Sequence, residues 1–223
     1  MDWTAFRLSI ELGVVTLLGL VPPAIVAGRA LAYGRFRGKG FVEALVALPL
    51  LLPPTVVGFY LLVLFGRHGP LGQAFEAISG QGLAFSFEGL VLACIVVNIP
   101  FAVQPVQRAF ESIPREVREA AAVSGMSPLR AFMAVELPLA WPGIVSALVL
   151  TFAHTLGEFG VVLMVGGSIP GETRTIAIAI YDRVQAFDDR SAGLMAATLL
   201  VLSVAALGAT NTLATRIGRR HDG

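Results

Sequence analysis

Charged side chains are scarce in this chain of 223 residues: Asp, Glu, Lys and Arg make up 14% of it, whereas 56% is hydrophobic. A soluble domain of this length cannot cover so much apolar surface with so few polar residues, so the composition indicates a protein that lies in a membrane. The formal net charge of +1 argues against nucleic acid as a partner. The single cysteine, Cys94, excludes a disulfide framework within the chain.

The sequence lacks further features that would indicate other classes of membrane protein. The sequence has no GxxxxGK[ST] loop, so no ATP site is expected in this chain. Secondary transporters typically have internal repeats and several buried charges for ion coupling. This sequence has no internal repeat of about 20–50 residues and few buried charges. An intramembrane enzyme would need a nucleophile–base pair or a metal cluster within its apolar segments, and neither is visible. These two classes are the disfavoured alternatives.

Long apolar runs are present instead. They cover about residues 8–32, 41–66, 87–108, 140–166 and 193–215. Because roughly 20 apolar residues in a helix cross the hydrocarbon core, we predict an all-α membrane protein with five transmembrane helices in a single domain, residues 1–223. The glycine-rich segment 67–86 is predicted to be a loop. A second loop, 167–192, contains a short amphipathic stretch at Thr175–Val184, where the alternation of TIAIAI fits a helix or a strand.

The Lys and Arg residues are distributed unequally between the connecting segments. If the spans alternate, eleven of them, in segments 29–39, 108–130 and 216–220, fall on one side, and five fall on the other. Cytoplasmic loops carry the excess of positive charge. The sequence therefore predicts an N-terminus outside the cell and a C-terminus in the cytoplasm.

The longest polar segment, about 111–139, separates the third and fourth predicted spans. Pro114 is predicted to start a helix, and Gly125 to close it in the left-handed conformation. Ser127 and Pro128 then open a second helix, which is predicted to end at Leu137–Pro138. The result is a helical hairpin on the cytoplasmic surface, either an ordinary polar surface feature or a docking site for a partner outside the bilayer.

The spacing in this segment resembles the EAA motif of ABC importer permeases: EAA, three residues, Gly, nine residues, an aliphatic residue, one more and LP. The matching residues are Glu119, Ala120, Ala121, Gly125, Val135, Leu137 and Pro138, with Val135 in place of the usual isoleucine. Nearly the whole chain is similar to the molybdate importer permeases, through the segments LPLLLPPTVVGFYLL (48–62), LGEFG (156–160) and IPGETRT (169–175). The resemblance implies the type I ABC importer permease architecture, in which the EAA loop is the coupling region that docks onto the ATPase.

The same resemblance implies the partners. They are a second permease subunit in a homodimer, two cytoplasmic ATPase subunits, an external substrate-binding protein and membrane lipid, with molybdate as the transported oxyanion and the bacterial inner membrane as the location. No cofactor is expected on this chain, and ATP with Mg²⁺ is expected on the ATPase subunits. Tungstate, sulfate and thiosulfate permeases are the close alternatives, because these anions are also dianions and the binding protein sets most of the selectivity.

Glu158 is the one carboxylate deep in a predicted span. It lies about 24 Å along the helix from Pro142 and therefore toward the outer face. Ionisable residues in a membrane usually face a partner or a water-filled path, so Glu158 serves in an ion pair, in a hydrogen bond alone or in contact with the transported ion. We predict an ion pair with Arg174 that holds the outer ends of the spans closed.

Other residues are predicted near the same pathway. Phe159 and Gly160 follow Glu158, and Thr55 and Asn98 are polar groups in the second and third spans, respectively. The prolines of these two spans either are packing kinks or mark helices that line the pathway. His154 shares a helix face with Glu158. A metal site would need further ligands, so none is predicted.

Overall fold

Helices form all the regular secondary structure of residues 1–218, the part of the chain that this computed structural model describes. In chain order they are α1 (Trp3–Tyr33), α2 (Lys39–Leu51), α3 (Pro54–Phe65), α4 (Pro70–Ser79), α5 (Phe87–Glu111), α6 (Arg115–Val123), α7 (Pro128–Ala131), a π-helical turn (Phe132–Glu136), α8 (Leu137–Gly157), α9 (Gly160–Gly166), α10 (Ile176–Gln185) and α11 (Asp189–Gly218). The predicted all-α class is confirmed for these residues.

Three helical stretches of the described residues are long and apolar enough to cross a membrane: Trp3–Tyr33, Phe87–Glu111 and Pro128–Gly157. The pair α2 and α3 gives a fourth if it is counted as one span. The fifth predicted span, 193–215, is part of the continuous helix α11. Arg219 and Arg220, on which the predicted orientation partly depends, lie outside the described residues.

The second predicted span, 41–66, is two helices whose axes differ by 105°. Leu52 and Pro53 between them have extended backbone, with ψ angles of 141° and 137°. Proline removes a backbone donor and disfavours helical conformation in the residue before it. The pair Pro53–Pro54 therefore ends α2, and Pro54 occupies the first turn of α3, where its missing N–H costs nothing.

The fourth predicted span, 140–166, is also interrupted. Helix α8 ends at Gly157, and Glu158 has extended backbone with ψ of 124°. Helix α9 then begins at Gly160. Glycine is a poor helix former, and the side chain of Glu158 accepts a hydrogen bond from the N–H of Val161, which compensates the first turn of α9 for its missing backbone acceptor.

Helices α1, α5 and α8 pack together at the centre of the bundle. A cluster that includes Val21, Phe110 and Ile144 joins all three. Glycine permits the closest approach: a Cβ on Gly143 would overlap Ala109 and lie 2.9 Å from the carbonyl oxygen of Pro105. Small residues at such crossings allow helices to pack closely in a membrane protein, where burial of apolar surface does not drive association.

Two connecting segments contain helices. The predicted loop 67–86 is wrong, because α4 occupies its middle. Pro70 stands at the first position of α4 and Gly80 closes it with φ of 73°, so proline and glycine bound a helix here. In the second segment, α10 resolves the ambiguity of TIAIAI in favour of a helix.

Candidate functional site

A helical hairpin, residues 115–131, connects α5 to α8 and has the predicted local structure. Pro114 precedes the first residue of α6. Gly125 has φ of +76°, and the N–H of Met126 donates to the carbonyl of Ala121 at 3.3 Å. The hydroxyl of Ser127 accepts a hydrogen bond from the N–H of Arg130 at 3.3 Å, and Pro128 takes the first position of α7.

Most side chains of the hairpin are exposed. Glu119 and Ala120 are exposed, and Glu119 is paired with Arg115 at 2.6 Å across one turn of α6. Of the motif residues in α6, only Ala121 is buried. Val123 is 89% exposed and Leu129 69% exposed. Apolar side chains so exposed on a polar hairpin provide a surface that another protein can cover.

The end of the motif differs from the prediction. Leu137 and Pro138 do not terminate the second helix; the chain is helical without a break from Pro128 to Gly157. The π turn makes this possible, because the N–H of Leu137 donates to the carbonyl of Phe132, five residues back. The wider turn accommodates the ring of Pro138, which would otherwise clash with the preceding turn of a regular α-helix. Val135 lies in this turn and is half-buried.

Glu136, the last residue of the π turn, is buried against α1. Its carboxylate accepts hydrogen bonds from Nε and Nη2 of Arg29, the latter at 3.2 Å. The guanidinium of Arg29 lies 5.3 Å from the ring centre of Phe132. This pair is not among the sequence predictions, although the sequence carries one signal: Glu136 is the only charged residue between Arg130 and Glu158.

A second polar cluster lies between α5 and α8. Asn98 is fully buried, and its Nδ2 donates to the carbonyl of Cys94 at 2.8 Å and to Oγ1 of Thr155 at 3.1 Å. Nδ1 of His154 is 3.2 Å from Oδ1 of Asn98. On its other side, Nε2 of His154 is 3.8 Å from Oε2 of Glu158. His154 thus lies between Asn98 and Glu158, two residues that the sequence predicts near the pathway for separate reasons.

This cluster borders a cavity of about 160 Å³ at the two helix breaks. The lining residues include His154, Glu158, Pro49 and Pro54. At the breaks, α9 contacts α3 closely, since a Cβ on Gly160 would lie 2.7 Å from Cβ of Pro54.

Of the predicted pathway residues in this region, Glu158 lines the cavity, and the lining residues do not include Asn98, Thr55, Phe159 or Gly160. Thr55 is exposed in the first turn of α3. The ring of Phe159 packs against that of Tyr181 in α10, with ring centres 5.0 Å apart.

The predicted ion pair between Arg174 and Glu158 is wrong. Among the described residues, Nη2 of Arg174 pairs with Oδ2 of Asp2 at 3.2 Å. The turn after α9 has positive φ at Gly167 and Gly171, 65° and 83°. It leads the chain to the N-terminal end of α1, where the N–H of Ile176 donates to the hydroxyl of Ser9 at 2.8 Å.

The described residues contain no group of three His, Cys, Asp or Glu side chains that could hold a metal ion. His154 and Glu158 are therefore a two-residue contact. The candidate functional regions are the exposed hairpin, the hydrogen-bonded cluster between α5 and α8, and the small cavity at the two helix breaks.

Comparison with known proteins gives a consistent result. Residues 24–220 match the family described as "Binding-protein-dependent transport system inner membrane component". The molybdenum transport system permease protein ModB of Azotobacter vinelandii is 46% identical over 91% of this chain and 89% of its own length. The sulfate transport system permease protein CysT of Salmonella typhimurium is 36% identical over 85% of this chain and 68% of its own length.

A solved structure agrees in fold. A bacterial alginate ABC transporter, in complex with a periplasmic protein that carries an alginate pentasaccharide, contains a chain that superposes with a TM-score of 0.76. The match covers 96% of this chain and 78% of that one, at 19% identity. Since a family match over most of the sequence is joined to this likeness of fold, the chain belongs to the inner membrane components of binding-protein-dependent transport systems.

Proposed function

We propose that this chain is the permease subunit of an ATP-driven molybdate importer with the type I architecture. It spans the bacterial inner membrane five times, with its N-terminus outside and its C-terminus in the cytoplasm. Two copies form the translocation path, two ATPase subunits bind ATP and Mg²⁺ on the cytoplasmic side, and an external binding protein delivers the anion. The 46% identity to a molybdenum transport permease supports this choice of substrate.

The observation that carries the proposal is the exposed hairpin 115–131. Four of the seven motif residues lie in the hairpin and three follow it: Glu119, Ala120, Ala121 and Gly125, then Val135, Leu137 and Pro138. The apolar side chains of Val123 and Leu129 in the hairpin are exposed. A groove on the ATPase would cover these side chains and receive the helix α6, whose small residues permit close approach. Binding of ATP would then move the hairpin, and the transmembrane helices would alternate between outward-open and inward-open states.

The docking role can be tested at Gly125. A β-branched residue at φ of +76° is strained, whereas asparagine tolerates this conformation. A Cβ at position 125 would meet no atom of the described residues within 4 Å, apart from its own chain neighbours, so neither substitution disturbs the interior. We expect Gly125→Val to abolish co-purification of the ATPase and transport while the permease still inserts, and Gly125→Asn to retain both in large part. Normal ATPase association and uptake in Gly125→Val would contradict the proposal.

The pathway is proposed to pass the two helix breaks. Glu158, Phe159 and Gly160 form one break, Thr55 follows the other, and Asn98 reaches the same region through His154. A carboxylate repels a dianion, so Glu158 is proposed to fix the start of α9 rather than to bind the substrate. Arg174 is proposed to act at the outer end of the pathway through Asp2, which it contacts.

Sulfate or thiosulfate is the alternative substrate, favoured by the 36% identity to a sulfate permease, and tungstate is a second one. The deciding experiment is uptake of labelled molybdate into vesicles that carry the complete complex with its own binding protein. We expect unlabelled molybdate and tungstate to compete and sulfate to compete weakly. Uptake of labelled sulfate that excess molybdate leaves unchanged would reassign the substrate.

A further inference from the structure

The pair of Arg29 and Glu136 joins two parts of the molecule that lie far apart in the chain. Arg29 stands near the end of α1, and Glu136 ends the π turn that follows the hairpin. Their two hydrogen bonds are parallel contacts of a guanidinium with a carboxylate, the geometry in which such pairs are strongest. The side chain of Glu136 is 8% exposed and that of Arg29 is 37% exposed.

The π turn explains why a carboxylate at position 136 points at α1. A π turn adds one residue to a helical turn, which changes the direction of the side chains around it, and such turns occur frequently at functional sites. Here the turn places Glu136 in contact with Arg29 of α1. Phe132 packs on Phe110 of α5, and its ring also lies under the guanidinium of Arg29. The direction of Glu136 is therefore fixed by backbone structure.

The hairpin contacts the same end of α1 a second time. The guanidinium of Arg118, in α6, lies 3.9 Å above the ring centre of Tyr33, and that of Arg29 lies 5.6 Å from the same ring. Tyr33 also packs edge-on against Phe110 of α5. The chain thus contacts the end of α1 on both sides of the hairpin. Arg118 in α6 does so through its cation over the ring of Tyr33, and Glu136 after α7 does so through its ion pair with Arg29.

The opposite end of α1 is attached as well. Asp2 binds Arg174, and the hydroxyl of Ser9 binds the backbone of Ile176, so the start of α1 is tied to the segment that follows α9. One helix therefore connects the hairpin to the loop on the far side of the bundle. Helix α8 is covalently continuous with the hairpin, whereas α1 depends on side-chain contacts for that connection.

We infer that Arg29 and Glu136 are positioning residues that tie α1 to the hairpin, so that movement of the hairpin is transmitted to α1 as well as to α8. The inference rests on the proposed docking of the ATPase at the hairpin. Hydrophobic contacts of the Val21 and Phe110 cluster pack α1 into the bundle, and contacts of this kind are non-directional. The ion pair supplies a directional contact, which sliding of one helix along the other would break.

The test uses the complete complex in vesicles and measures ATPase association, ATP hydrolysis and uptake of labelled molybdate. Glu136→Gln and Arg29→Gln should retain the ATPase and hydrolyse ATP but lower uptake per ATP by about fivefold or more, the usual lower range for coupling between sites. Arg29→Lys should give a smaller loss, because lysine keeps the charge without the two-point contact. Arg183→Gln removes a more exposed ion pair, that with Asp188, and should leave the ratio unchanged.

Two double variants separate coupling from simple stability. Arg29→Gln with Glu136→Gln leaves no stranded charge, so it should accumulate normally and yet remain uncoupled. Arg29→Glu with Glu136→Arg restores an opposite pair and should recover part of the uptake per ATP. Full coupling in the double glutamine variant, or uptake and hydrolysis that fall in the same proportion in every variant, would overturn the inference.

The outcome is distinguishable from failure of the docking proposal. If Gly125→Val leaves ATPase association and uptake unchanged, the docking proposal fails, whatever the Arg29 and Glu136 variants do. If Gly125→Val releases the ATPase while the Glu136→Gln complex remains intact with a normal ratio of uptake to hydrolysis, docking stands and the role of the ion pair is refuted.

Discussion

Glu158 offers a way to separate a buried charge from a buried hydrogen bond. Its Oε1 accepts the N–H of Val161 at 3.0 Å, while its Oε2 is 3.8 Å from His154, beyond hydrogen-bond range. Glutamine keeps an acceptor at the first position and removes the charge. Alanine removes both and leaves the N–H of Val161 unpaired in a buried site.

The magnitudes follow from these contacts. A hydrogen bond to a charged group contributes about 1.5–3 kcal/mol, and the lost methylene of alanine adds about 0.8 kcal/mol. We therefore expect Glu158→Ala to destabilise the protein by about 2–4 kcal/mol. For Glu158→Gln we expect a change below about 1 kcal/mol, since the weaker acceptor is offset by relief of the cost of burying a charge.

The assay is thermal unfolding of the purified complex in one detergent, followed by uptake in vesicles. The expected order of stability is wild type, then Glu158→Gln close to it, and Glu158→Ala well below. Uptake should follow the same order, because a poorly fixed α9 disturbs the helix breaks. A glutamine variant as unstable and inactive as the alanine variant would refute the reasoning, since the charge and not the hydrogen bond would then be essential.

The remaining predictions concern packing and topology. Gly143→Ala should destabilise the bundle by about 1–3 kcal/mol through overpacking against Ala109 and Pro105. At Gly193 a Cβ would meet no described residue within 4 Å, so Gly193→Ala should be neutral or stabilising in thermal unfolding. Equal melting temperatures for the two variants would contradict the close packing of α5 and α8. The orientation can be tested with single cysteines at the exposed positions Arg37, Gln73 and Ala186 in a Cys94→Ala background. An impermeant thiol reagent added to intact cells should label the cysteines at positions 73 and 186 and not the one at position 37. Labelling of position 37 from outside would reverse the predicted orientation.

Local signals were enough to predict the hairpin. Pro114, Gly125 and Ser127 act on backbone within four residues of themselves, so their effects do not depend on the rest of the fold. The class of the fold was equally accessible, because apolar composition is a property of the chain as a whole. The family resemblance rested on spacing, which the sequence displays directly.

Other features depend on contacts that one sequence does not reveal. The break at Glu158 lies within an apolar run, and only its contact with Val161 shows that the carboxylate caps a new helix. The glycines between Glu158 and Arg174 can turn the chain back and so predict that these two residues pair, but the turn after α9 directs Arg174 to Asp2. The number of glycines around α4 indicates a loop, but Gly69 and Gly80 stand at the two ends of a helix, where glycine does not interrupt it.

The unbroken helix from Pro128 to Gly157 has 30 residues and is therefore a rod of about 45 Å. A tilt of only about 5° at its hairpin end displaces its far end by about 4 Å. Asn98 and Thr155 are joined across α5 and α8 by a hydrogen bond of 3.1 Å, which tolerates a few tenths of an ångström at most. A tilt of α8 relative to α5 would therefore make the fully buried Asn98 exchange partners, whereas a tilt of the two helices together would keep this contact.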